Sequence, residues 1–229
     1  DGWDEGKTDW DDALDPAAVF AHCNRVLRMN GALVLFSQEP YTSRLITDAH
    51  GNLPFSYRMT WLKDHFANAL VSKKAPVSYT EDVLVFFKKY DTLAQHPLRD
   101  YAMRVLAHCG GSLKAVNTAL GHRRAEHFLY IESTQFGLCT EKTYRELCAL
   151  YGIQGQEWFK PYAELEEINR RFSRRFNLPE GQKYKSNVLQ YRKDYTGHHP
   201  TQKPVALMED LVKTYTNHGE TVLDFTMGS

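Results

Sequence analysis

The sequence predicts an open α/β sheet with helices on both faces, interrupted by a mostly helical insert. Three observations predict it. Residues 17–90 alternate helical and strand patterns. Leu98 to Phe176 read almost wholly as helices. A helix and a strand-turn unit then return over 201–229. The implied divisions are 1–92 for the first half of the core, 93–185 for the insert and 186–229 for the return to the core.

In residues 17–28, Val19, Phe20, Cys23, Val26 and Leu27 recur at helical spacing. Asp15 can cap this helix, with Pro16 at its first position and Asn30-Gly31 as its left-handed stop. The wholly apolar run Ala32–Phe36 reads as a buried parallel strand. Ser37–Pro40 is a loop at its C-terminal end, and Tyr41–Asp48 a helix. Phe55–Leu62 and Val83–Lys88 are further strands. Ligands sit at the carboxyl ends of strands in such sheets, which places Ser37–Pro40 and the loop Lys63–Glu81 on the active-site side.

In the insert, Leu98–His108 is a helix, and Ser112 caps a second that Gly121 stops. Arg123–Ile131 is a third. Thr140 caps a fourth, stopped by Gly152, and Pro161–Phe176 is long and charged. Asn177–His198 reads as a polar linker. Thr201–Asn217 is a helix with Val205, Leu207, Met208, Leu211, Val212 and Tyr215 on its apolar side. Thr221–Phe225 is a strand, and Thr226-Met227-Gly228-Ser229 opens a tight turn.

Composition narrows the function classes. Lysine plus arginine and aspartate plus glutamate both number 28, so no whole-chain basic bias marks a nucleic-acid binder. Charge is local instead: Asp1–Asp15 is acidic, while Arg170, Arg171, Arg174, Arg175, Lys183 and Lys185 form a basic stretch. Four cysteines lack C-x-x-C or zinc-ligand spacing and read as buried, reduced thiols. The closest histidine groups, His198-His199 and His122 with His127, lack a metal site's i, i+4 pair with a carboxylate; no metal is expected. No apolar run approaches the roughly 20 residues of a membrane span, and the acidic N-terminus is unlike a signal peptide. The expected location is the cytoplasm.

Chemistry concentrates at the C-terminal end. A strand ending in Asp224 before a glycine-bearing turn is how a nucleotide-binding βα unit begins. One helix earlier stands His199-Pro200-Thr201-Gln202-Lys203-Pro204. There Thr201 can cap the helix, Pro204 suits its start, and Lys203 offers a charge to a carboxylate. Together with Asp224-Phe225-Thr226-Met227-Gly228-Ser229, this pair resembles the cofactor-binding signature of the amino-methyltransferases that act on adenine N6 or cytosine N4 in DNA. The similarity is to the subgroup, of phage or bacterial type, whose catalytic half precedes its cofactor half. Arg25–Phe36, Ser37–Tyr41 and Lys73–Phe86 resemble the family's core, so the likeness covers about 17–90 and 196–229. Leu120–Phe128 resembles a target-recognition insert.

The resemblance implies a Rossmann-like methyltransferase sheet, S-adenosyl-L-methionine as cofactor, and double-stranded DNA as partner. The family transfers a methyl group to the exocyclic amine of a base flipped out of the duplex. Adenine N6 is the favoured acceptor and cytosine N4 the alternative. By the same resemblance His199, Thr201 and Lys203 serve the methionine end of the cofactor, and Asp224, Phe225, Thr226 and Gly228 its amino group and adenine. Phe225 has a second reading, packing of the strand end. The family's tetrapeptide, Asp/Asn/Ser-Pro-Pro-aromatic, does not occur here; Asp15-Pro16-Ala17-Ala18 lacks the aromatic. Family order places it before Asp1, so the 229 residues are expected to be an internal portion, inactive alone. Homodimers are common in the family.

In the insert, Ser112–Leu120, a Gly121-His122 turn and Arg123–Ile131 have the size of a helix-turn-helix. On that reading Arg123 and Arg124 open the second helix and touch DNA, with Lys114, Arg171 and Arg175 as further DNA-binding candidates. The bland alternatives are a plain helical bundle and a solvated charged face, since Glu164, Glu166 and Glu167 balance the arginines. At whole-protein level the alternatives are a non-catalytic DNA-binding protein on a degenerate methyltransferase fold, and an RNA or protein amine methyltransferase.

Overall fold

The computed structural model describes residues 14–67, 72–92, 96–195 and 202–226. The chain forms two compact units. One comprises Asp1–Leu27, Gly31–Lys88 and Arg174–Ser229; the other comprises Arg28–Asn30 and Lys89–Ser173.

The first unit is a four-stranded sheet flanked by helices. Helix α1 spans Pro16–Val26, β1 Ala32–Ser37, α2 Tyr41–Thr47, β2 Phe55–Ala67, β3 Ser78–Phe87, β4 Val188–Gln190 and α8 Val205–Tyr215. The Asp15 carboxylate accepts the Ala17 and Ala18 N–H groups, as its place before Pro16 dictates. The helix ends at Val26 with Leu27 extended, and the left-handed residue is Asn30, at φ 62°. Buried Lys88 donates to the Asn24 and Leu27 carbonyls, placing a cation at the C-terminal turn of α1.

The strand order is β1-β3-β2-β4. The predicted parallel partnership of β1 is corrected here. β1 pairs antiparallel with β3, as does β2, and only β4 runs parallel to its neighbour β2. A buried apolar run is equally compatible with either direction when both faces are covered, and both faces of β3 are. Val83, Val85 and Phe87 face one cluster with Met59, Trp61, Leu207, Leu211 and Tyr215. Leu84 and Phe86 face the other, with Phe20, Cys23, Leu33 and Leu45. Thus α8 covers one face, and α1 and α2 the other. Each fully buried side chain of this kind contributes roughly 1.5–3 kcal/mol.

Four further expectations change. The loop Lys63–Glu81 is shorter, because β2 continues to Ala67 and β3 begins at Ser78. The polar linker contains a strand, β4, whose partner is the free edge of β2. Thr221–Phe225 is not a strand: Val222 and Leu223 are exposed, and no described strand lies beside them to supply a hydrogen-bonded ladder. Helix α8 starts later than Thr201. Its i, i+4, i+8 row Leu207, Leu211, Tyr215 is buried, whereas Val205 and Val212 are exposed.

The second unit is helical, with α3 Arg99–His108, α4 Leu113–Leu120, α5 Glu126–Leu129, α6 Glu141–Tyr151 and α7 Tyr162–Arg170. Ser112 and Thr140 cap α4 and α6 through their hydroxyls, and Gly121 (φ 72°) and Gly152 (φ 63°) end them in the left-handed conformation. The predicted helix over Arg123–Ile131 shrinks to the single turn α5. A tight turn precedes it, in which the Arg124 N–H donates to His122 Nδ1, and buried Ala125, Phe128 and Leu129 tie it into the core. The charged helix α7 stops at Arg170, short of Phe176.

One ion pair organises this unit. Arg99 Nη2 lies 3.1 Å from Asp91 Oδ2, both side chains buried. The guanidinium also donates to the Ile131 and Ser133 carbonyls and sits 4.7 Å from the centre of the Phe136 ring. Asp91 further accepts the His96 N–H at 3.0 Å. Among the described residues no helix is long and apolar enough to cross a membrane.

Two outcomes are expected. Asp91→Ala strands a buried guanidinium and lowers stability by about 3–5 kcal/mol in denaturant titration; a loss under 1 kcal/mol contradicts the network's role. His96 lies between Phe136 and Phe172, and burial pushes its pKa below the usual 6.5, opposed by its hydrogen bond to Asn169. A depressed histidine contributes stability that is present above pH 6.5 and lost as pH falls. Melting temperature should decline below that pH, and His96→Gln should flatten the decline.

A candidate functional site at the strand edge

β1, β2 and β4 run in one direction, so their carboxyl ends share one edge of the sheet with the amino end of β3. Successive side chains of a strand point to opposite faces. Glu81 and Asp82, at that end of β3, therefore emerge on opposite sides, and each is captured by what covers its side.

Glu81 faces the α8 side. Its Oε2 lies 2.6 Å from Lys63 Nζ and its Oε1 lies 2.6 Å from Lys203 Nζ. Lys203 also sits 5.1 Å from the Phe36 ring centre and 5.9 Å from that of Trp61, over which Lys63 sits at 5.0 Å. Only 8% of the Glu81 side chain is exposed. Burial alone raises its pKa, but Lys203 and then Lys63 more than offset this and hold the carboxyl below its ordinary value. Two lysines against one carboxylate leave the cluster with one formal positive charge. Removing Glu81 leaves the two lysines without their shared counter-charge and costs about 3–5 kcal/mol, whereas losing one lysine leaves a neutral pair.

Asp82 faces the α2 side. Its Oδ2 accepts from Thr42 Oγ1 at 2.9 Å, and Thr42 and Ser37 hydroxyls meet at 2.7 Å. Gln38 Nε2 donates to the Thr80 carbonyl at 3.1 Å, and Glu39 accepts from the Ser43 N–H and hydroxyl. The loop Ser37–Pro40 is thereby pinned to the edge as a formed wall.

Of the predicted cofactor residues, Lys203 is the described one that joins this cluster. Its partner is Glu81, which the sequence places at the end of the Lys63–Glu81 loop on the active-site side but does not pair with it. Asp224, Phe225 and Thr226 are exposed. Asp224 Oδ1 accepts the Thr226 N–H at 3.0 Å in a local turn. His199, Thr201 and Gly228 lie outside the described residues. The first N–H of α8, from Val205, donates to Asp194 Oδ2 at 2.7 Å, so that cap comes from upstream of the motif.

The DNA-binding candidates separate. Arg123 and Arg124 precede α5 and do not begin a recognition helix, which corrects the helix-turn-helix expectation. Arg123 is held by both Glu126 oxygens at 2.5 Å, and Arg124 lies 3.6 Å from Glu146. With Lys114, Thr118 and His122, Arg123 lines an open depression of about 710 Å³. Asn117 also lines it, and its Oδ1 is a buried oxygen without a hydrogen-bond partner. Arg171 is exposed. The Arg175 side chain is 11% exposed and paired with Glu220 at 3.4 Å. In the same basic stretch, Lys185 pairs with Asp210 and Arg174 stacks on Phe87. All four cysteines are free and buried. Burial pushes the thiols up, Cys109 to about 11 and Cys139 to about 12, which makes them poor nucleophiles.

No curated protein matches this chain. A solved structure described as the crystal structure of the M1.HpyAVI-SAM complex is similar at 12% identity with a TM-score of 0.38. The similarity covers 86% of this chain and 56% of that one. The chain therefore spans just over half the length of that protein. The family model for DNA methylase, N6_N4_Mtase, matches residues 3–229, and the chain belongs to that family.

Proposed function

We propose that this chain is part of an S-adenosyl-L-methionine-dependent DNA methyltransferase acting on an exocyclic amine, with adenine N6 the favoured acceptor and cytosine N4 the alternative. The observation that carries the reading is positional. The described end of the 199–204 motif, Lys203, sits at the edge where strand carboxyl ends converge, in a chain of this family. The unbridged, buried thiols are in keeping with a reducing compartment, the cytoplasm.

The residues present fit such a cofactor by donor chemistry. Asp224 offers an exposed carboxylate to its ammonium group, and Phe225 an exposed ring to its purine. The Lys63–Glu81–Lys203 cluster offers net positive charge toward its carboxylate. His199, Thr201 and Gly228 belong to the same proposed set. The cofactor supplies the methyl group. The chain's own part is to hold the cofactor at the strand edge, where orientation does most of the catalytic work.

The helical unit is proposed to contact the DNA. Lys114, Arg123 and Arg124 project from the α4–α5 region, and Arg171 is a further candidate. Arg123 must exchange Glu126 for a phosphate or a base edge to do so.

Transfer of a labelled methyl group from S-adenosyl-L-methionine to duplex DNA by the full-length protein tests the activity. Incorporation at adenine or cytosine amines is expected. A folded protein that binds DNA but incorporates nothing is instead a DNA-binding member on a degenerate fold. For the contact surface, Arg123→Ala with Arg124→Ala should weaken DNA binding and reduce its salt dependence, whereas Glu126→Gln should strengthen binding. Unchanged affinity in both variants removes this surface from the interface.

A further inference from the structure

We propose that Glu81 is a positioning residue for the cofactor site, a clamp through which Lys203 acts, so that Lys203 is not itself the ligand of the cofactor's carboxylate. The proposal rests on the methyltransferase reading above.

Three observations carry it. Lys203 is already committed: its ammonium is 2.6 Å from Glu81 Oε1 and lies against the Phe36 and Trp61 rings. Glu81 holds it from a buried position. Its carboxylate is 8% exposed and bridges Lys203 through one oxygen and Lys63 through the other. Lys203 also stands immediately before Pro204 and α8, so fixing its ammonium fixes the chain as it enters the helix. Asp194 holds the other side of that entrance through the Val205 N–H. The two contacts set the path of the chain at the strand edge, and Lys63, from β2, holds the second oxygen of Glu81. Lys203 keeps 29% of its side chain exposed, so its commitment is set by the buried acidic neighbour it pairs with and by the two rings it lies against.

The two roles predict opposite effects of Glu81→Gln. A direct ligand is freed by it, and cofactor affinity stays equal or rises. A clamp is loosened by it, and affinity falls. The test is calorimetric binding of S-adenosyl-L-methionine to the full-length protein, well below its melting temperature, for Glu81→Gln, Lys203→Met, the double variant and Lys203→Arg. Each single variant should weaken binding by on the order of tenfold, and the double variant no more than either single one. Lys203→Arg should recover most of the loss, because it keeps the charge that pairs with Glu81. Unchanged or tighter binding by Glu81→Gln overturns the proposal, as do additive losses in the double variant. A lower melting temperature with unaltered affinities overturns it too, since that marks a merely structural contact. If the unaltered protein binds no S-adenosyl-L-methionine, the methyltransferase reading itself has failed.

Discussion

The first unit depends on one strand that is covered on both faces. From Val83 to Phe87 every side chain of β3 is buried, and alternate residues serve different cores. The alternation admits no slippage. A shift by one residue exchanges Val83, Val85 and Phe87 with Leu84 and Phe86, and sends aliphatic groups shaped for one helix layer against the other. The same alternation runs on into the site. It sends Glu81 to the lysines on the α8 side and Asp82 to Thr42 on the α2 side. Packing thus sets the chemistry: the register that closes the core also decides which carboxylate meets which partner.

What the sequence reveals follows the range of the forces involved. Helices whose ends are set by their own neighbours were readable. Asp15 before Pro16, Ser112 with Gly121, and Thr140 with Gly152 each satisfy helix ends within a few residues. Strand positions were readable from apolar runs, but strand direction was not, because β1 and β3 look alike whichever way they pair. The three-residue β4 was hidden in a polar stretch, since it is too short to stand out and is completed by pairing with the edge of β2. Thr221–Phe225 shows the converse: an apolar run with strand composition stays unpaired where no described neighbour completes it.

The site was half legible for the same reason. The motif His199–Pro204 pointed, through the family it resembles, to the fold and to an expected cofactor region. Its lysine's partner was out of reach, because Glu81 and Lys63 are brought to it only by the sheet. The arginines of the helical unit were visible as charges, but their internal carboxylate partners Glu126 and Glu146 were not. Spacing suggested a second recognition helix there, and tertiary burial of Ala125, Phe128 and Leu129 produced a single turn.

Those internal carboxylates bear on how a polyanion would be met. Much of the salt dependence of nucleic-acid binding comes from small cations leaving the phosphates as protein charges replace them. Where an arginine already holds a glutamate, a new phosphate contact also liberates that glutamate, which gathers its own counterions from solution. Part of the entropy gained by dilution is returned. A surface paired in this way binds unselected sequence weakly, and its affinity responds to ionic strength less than its tally of basic residues suggests. Discrimination then rests on the fit of the few exchanges that are made.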